Sequence, residues 1–112
     1  MLVGSYSDKP AESQTRAGIA GTVMRKLIAR DEGARVFTMR MITIDVGGHI
    51  GLHDHPWEHE IFVVHGEGQA FTGSGRTDIK PGNFIWIPPN EEHGFENTGS
   101  VPLEFICCIP LE

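Results

Sequence analysis

Six histidines occur in the 112 residues, and five of them, His49, His53, His55, His59 and His65, lie between positions 49 and 65. The sixth, His93, follows the Pro88-Pro89-Asn90 breaker. A lone histidine is an ordinary surface or core residue. A cluster is a metal-site signal, because imidazole nitrogens bind divalent ions at about 2.0–2.1 Å. In an extended strand His53 and His55 share a face, with Cβ atoms about 6–7 Å apart, so two rings can converge on one ion. The run His55-Pro56-Trp57-Glu58-His59 also fits the H-x-x-E-H pattern, in which one helix carries two zinc ligands and a glutamate base. Here Pro56 follows the first histidine and a β-rich run begins at Ile61, so a helix of the needed length does not fit.

The elements around these residues read as strands. From Thr22 the pattern has period two, with Val23, Arg25 and Leu27 alternating with Met24, Lys26 and Ile28 up to the turn Asp31-Glu32-Gly33. A second strand runs from about Arg35 to Val46 and is expected to end at Gly47-Gly48, forming a hairpin with the first. The segment His49–His55 and the apolar run Ile61-Phe62-Val63-Val64 follow. Next come Gln69–Thr72, Arg76–Ile79, Phe84-Ile85-Trp86-Ile87, Glu92–Glu96 and Leu103–Ile109, separated by Gly- and Pro-rich turns. About nine short strands at regular spacing are the signature of an all-β sandwich or barrel. No helix and no repeat of solenoid length is evident. The expected division is an N-terminal arm or swapped strand over residues 1–21 and one β-barrel domain over 22–112, since this length holds a single core.

Two spaced motifs give the chain its resemblance to the cupin family. The first runs from Gly47 through His53-Asp54-His55 to Gly66, and the second comprises Gly82, Pro88, His93 and Asn97, with Asn90 where the family usually has glycine. Asparagine tolerates positive φ better than most residues, so the departure is mild. The chain looks most like small one-domain cupins that carry HPWEHE and are described as oxalate-decarboxylase-like. The resemblance implies a double-stranded β-helix of jelly-roll form enclosing one divalent transition metal, with Mn, Fe, Zn and Ni all open. It also implies three histidine ligands and one glutamate. Glu60 has the longer permitted spacing after His55 but lies one residue too near Gly66. His59 has the shorter spacing and the right distance to Gly66. Adjacent strand residues face opposite ways, so the two are exclusive. The expected ligands are therefore His53, His55, His59 and His93, with Glu60 as the alternative to His59.

Four neutral imidazoles would leave a divalent ion its full charge, against about +1 with a carboxylate in the set, and so favour an anionic chelating oxygen ligand. Binding should weaken as pH falls through about 6–7. Glu60 and Glu58 are the carboxylates near enough in sequence to move protons. Arg40, facing inward, would pair with a carboxylate; facing outward it is a solvated strand residue, and alternation does not settle the matter. Trp57 is placed to shield the pocket or to pack at a subunit interface. Phe62, Phe71, Trp86 and Phe95 read as core, and His49 and His65 as loop or rim residues.

Composition narrows the partners. Fifteen acidic against nine basic residues give a net charge of −6, which argues against nucleic acid. No apolar run approaches the ~20 residues of a membrane span. Met1–Pro10 lacks the layout of a secretion signal, so a cytoplasmic setting is expected. The adjacent Cys107 and Cys108 point to opposite faces of a strand and read as reduced packing thiols. The expected function is metal-dependent chemistry on a small carboxylate or other bidentate oxygen ligand, decarboxylase- or dioxygenase-like. The alternative is a non-catalytic module that binds a small anion or sugar acid through the metal. A homodimer is expected.

Overall fold

The computed structural model describes residues 1–111. Its strands are β1 (Glu12–Ser13), β2 (Ile19–Ile28), β3 (Phe37–His53), β4 (His59–His65), β5 (Gly68–Thr72), β6 (Gly75–Ile79), β7 (Phe84–Ile87), β8 (His93–Glu96) and β9 (Leu103–Pro110). The helical content among these residues is two single turns of 3-10 helix, Tyr6–Asp8 and Arg30–Glu32. The sheet order is β6-β5-β8-β3-β9-β4-β7, with β2 on the other edge of β3 and β1 outside β2. All the pairings are antiparallel. The result is a single jelly-roll barrel.

One strand builds the barrel's corner. The N-terminal part of β3 pairs with β9 as far as Ile44↔Leu103, and its C-terminal part pairs with β8 from His49↔Glu96 onward. The expected strand end at Gly47-Gly48 is therefore wrong: β3 continues through both glycines and changes partner there. The change coincides with a bulge against β2, where the register shifts between Ala20 and Thr22. A bulge bends a strand and re-aims it. Gly48 suits the corner because a Cβ there would lie 2.9 Å from both Ala20 O and Asp45 O. Buried Asn97 ties the corner down. Its Nδ2 donates to Ile44 O and Val101 O, and its Oδ1 accepts from Gly99 N–H.

Alternation sorts the remaining side chains. Ile42 and Ile44 of β3, Ile61 and Val63 of β4, and Leu103, Phe105, Cys107 and Ile109 of β9 face the core. Phe105, Ile44, Leu103 and Val63 are its most buried side chains. Phe95 belongs to this core, as expected. Phe62 and Trp86 do not; they are 49% and 61% exposed and lie on the outer face with Phe84. Their aromatic character suggested burial, but their strand phase is opposite to that of Ile61, Val63, Ile85 and Ile87. Phe71 is partly buried under the Arg76 guanidinium, 4.4 Å from its ring centre. β1 pairs with β2 of the same chain, at Glu12↔Met24 and Ser13↔Val23.

Candidate metal centre

The two motifs meet through strand pairing. His53, the last residue of β3, and His93, the first of β8, are cross-strand partners, and their ring centres are 4.3 Å apart. A register shift between Ile50 and His53 sets this pairing. His55 is carried by the loop from β3 to β4, whose backbone is held from the other motif: Asn90 N–H donates to His55 O at 2.7 Å. Asn90 has a φ of 68°, the left-handed conformation that a glycine would otherwise supply. His59 opens β4 and pairs with Ile87 of β7.

These elements bring four rings together. The ligand nitrogens of His53, His55 and His93 lie within 4.8 Å of one another. His59 stands beside this trio and outside the group of converging nitrogens, its ring centred 5.0 Å from His55 and 5.1 Å from His93. The rings are oriented from behind. His53 Nδ1 contacts Gly51 O, and His93 Nδ1 contacts Glu91 O, each at 2.8 Å. In both, an Nδ1–H donated to the carbonyl leaves the Nε2 lone pair for a cation. His55 stacks on Trp57, ring centres 4.7 Å apart and planes within 8°. His59 Nδ1 lies 3.1 Å from Cys107 Sγ, while its Nε2 is buried without a partner. A buried nitrogen without a partner costs free energy unless something else satisfies it. A cation among the four rings would do so, and the all-nitrogen donor set suits a divalent transition ion.

Burial keeps the site ready for a cation. Desolvation, reinforced by the neighbouring His53 and His93, pushes His55 down to about 4. Desolvation, then His93 and Arg40, pushes His59 down to about 3. His93 is lowered as well, again chiefly by burial. His55 and His59 are therefore neutral well below the pH range of about 6–7 in which free imidazoles titrate.

The rings line a cavity of about 80 Å³. Arg40 also lines it, which resolves the ambiguity of β3 in favour of the inward face. Its Nη2 donates to Cys107 Sγ at 3.0 Å, its Nη1 approaches Met24 Sδ at 3.5 Å, and its Nε is buried without a partner. Trp57 lies against His55 and packs on the core. Glu58 and Glu60 are not brought to the cluster. Glu60 is exposed, one residue out of phase with His59, opposite Trp86 and Cys108. Glu58 accepts a hydrogen bond from Trp86 Nε1 on the outside. Among the described residues no Asp or Glu lines the cavity. His49 pairs with Ala20 and Glu96, and His65 Nδ1 contacts Pro102 O; neither lines the cavity.

Among the lining residues that sequence reasoning missed are Gln14, Arg16 and Cys107. Gln14 and Arg16 come from the N-terminal segment, whose path no local pattern reveals. Cys107 was read as a packing thiol; its contact with Arg40 follows from the pairing Arg40↔Cys107 between β3 and β9, a long-range register. A second, larger groove of about 690 Å³, lined in part by Phe71, Arg76, Phe84 and Trp86, includes His93 and Phe95 in its wall.

Comparison with known proteins agrees with this architecture. A family model described as a cupin domain matches residues 40–109. The chain is 32% identical over 116 residues to an oxalate-binding protein of Thermotoga maritima, covering 99% of this chain and 94% of that one. Among solved structures, the polyketide cyclase RemF from Streptomyces resistomycificus superposes with a TM-score of 0.93 at 31% identity, covering 100% of this chain and 80% of that one. A predicted oxalate decarboxylase from Thermotoga maritima gives a TM-score of 0.85 at 28% identity, covering 99% of this chain and 100% of that one.

Proposed function

The chain belongs to the cupin family, and within it we propose a metal-dependent binder of a small, bidentate oxygen anion of the oxalate class. His53, His55, His59 and His93 hold one divalent transition ion, and Arg40 anchors the anion. Bound there, the ion supplies a Lewis-acidic centre with its charge undiminished by a carboxylate ligand. Among the described residues no carboxylate pairs with the Arg40 guanidinium, and its Nε is unpartnered; an anionic ligand would compensate it. Trp57 shields His55 from solvent.

The observation that carries this reading is the chemistry of the cavity wall: four histidines and two arginines, Arg16 and Arg40, without a carboxylate among the described residues. It favours capture over decarboxylase- or dioxygenase-like turnover, because the carboxylates expected to move protons face outward. The similar oxalate-binding protein of Thermotoga maritima supports the same ligand class. A second reading, cyclase chemistry on a larger polycarbonyl substrate, is favoured by the likeness to RemF and by the groove of about 690 Å³ that shares His93 and Phe95 with the metal cavity. We further assign a cytoplasmic homodimer, with the exposed Phe62, Phe84 and Trp86 on the outer face of β4 and β7 as the apolar surface a second copy would cover.

Calorimetric titration of the metal-free protein with Mn, Fe(II), Zn and Ni, followed by oxalate, tests the proposal. One ion per chain and oxalate binding only in the loaded protein are expected, with no product formed. Turnover of oxalate would replace binding with catalysis, and absence of ion uptake would overturn the reading. Sedimentation velocity of wild type against Trp86→Lys tests the dimer.

A further inference from the structure

We propose that Cys107 is the positioning residue of this centre, its sulfur holding the ring of His59 on one side and the guanidinium of Arg40 on the other. The inference rests on the metal-site reading above. Cys107 Sγ lies 3.1 Å from His59 Nδ1 and 3.0 Å from Arg40 Nη2. His59 is 6% exposed, and its Nε2 is buried without a partner.

The geometry assigns the protons. A guanidinium can only donate, so the Arg40 contact makes the sulfur an acceptor. A neutral imidazole carries one N–H. If the thiol donated to Nδ1, that N–H would lie on Nε2, the nitrogen needed for an ion. With the ion in place, Nδ1 carries the hydrogen and donates it to the same sulfur. Cys107 then accepts from both neighbours, and its own S–H is directed away from both.

This arrangement differs from the other anchors in the cluster. The Nδ1 atoms of His53 and His93 contact main-chain carbonyl oxygens, which no side-chain substitution removes. The orientation of His59 depends on a side chain, and that side chain also contacts the anion anchor. One atom therefore links the metal ligand to the group that meets the incoming anion. An anion that draws Arg40 Nη2 off the sulfur leaves His59 as the remaining donor among these contacts and alters how that ring is held.

Cobalt(II) is the probe, since its visible spectrum reports ligand geometry independently of activity. Cys107→Val preserves side-chain bulk and removes the acceptor; Cys107→Ser restores an acceptor. The expected result is a roughly 10–100-fold loss of Co(II) affinity in Cys107→Val, with displaced visible bands and weaker oxalate binding in the loaded protein. Cys107→Ser should recover part of both losses. Arg40→Met should lose oxalate binding while keeping Co(II) affinity within about threefold of wild type, because the His59 contact survives. Should Cys107→Val fail to fold by circular dichroism, Cys107→Ala carries the same test. Wild-type bands and affinity in Cys107→Val overturn the inference alone, as do equal losses in the Val and Ser variants. A wild-type protein that takes up no Co(II) overturns the metal reading and this inference with it.

Discussion

The four histidines fall into two pairs held by different means. His53 and His93 are cross-strand partners whose Nδ1 atoms contact the backbone at Gly51 and Glu91. His55 and His59 are held by side chains, one stacked on Trp57 and the other against Cys107. The first pair is as rigid as the sheet. The second is only as rigid as its supporting side chains, with His55 on the loop from β3 to β4 and His59 at the start of β4. The centre thus combines a backbone-fixed half with a half that is adjustable by substitution, and the adjustable half carries the link to Arg40.

Removing a backbone-anchored histidine of the proposed metal site should have the largest effect. His93→Ala, or His53→Ala, is expected to reduce divalent-ion affinity by more than about 100-fold, exceeding the usual cost of losing a supporting residue. Competition with a chromogenic chelator measures this. His59→Ala comes next and is paired with Glu60→Ala. The histidine variant should lose affinity by well over tenfold, whereas the outward-facing glutamate variant should stay within about twofold of wild type. The reverse ranking would mean that β4 pairs one residue out of the register described here.

Trp57→Ala should cost less, about tenfold in ion affinity, by freeing the His55 ring. Its effect should be clearly smaller in a His55→Ala background, because the ring it supports is then absent. Equal effects in both backgrounds would assign Trp57 to packing alone.

The smallest expected effect is a pH dependence of the metal-free protein. His55 and His59, lowered to about 4 and about 3, are neutral in the folded chain at pH values where the unfolded chain, near its ordinary value of about 6.5, takes up protons. The unfolded state then binds more protons, so stability rises with pH across that window. The contribution is complete above about 6.5 and is lost as pH falls toward 4 and then 3. Thermal unfolding of metal-free protein should show a falling Tm between pH 7.5 and 5, with a shallower slope in His59→Gln.

Much of this is legible in the sequence alone. Period-two alternation and Gly- and Pro-rich turns indicated an all-β barrel, and the distance from His59 to Gly66 placed His59 on the inner face. Gly66 makes that distance a dependable ruler: its φ is 78°, and a Cβ there would clash with the backbone of Pro102 and Leu103. Gly47-Gly48 misled for a related reason. The same residues that end a strand can bend one, and only the partner strands distinguish the two outcomes.

The sequence by itself determined the strand character, the spacing of the donor residues and, through alternation within β4, which of two adjacent side chains faces inward. These are local properties, set by backbone sterics and a two-residue repeat. Only the tertiary structure decided that His53 meets His93, that Arg40 faces the cavity beside Cys107, and that Gln14 and Arg16 reach its wall. Those outcomes depend on register between strands far apart in the chain, and register is set by bulges and the packing of the whole core rather than by neighbouring residues.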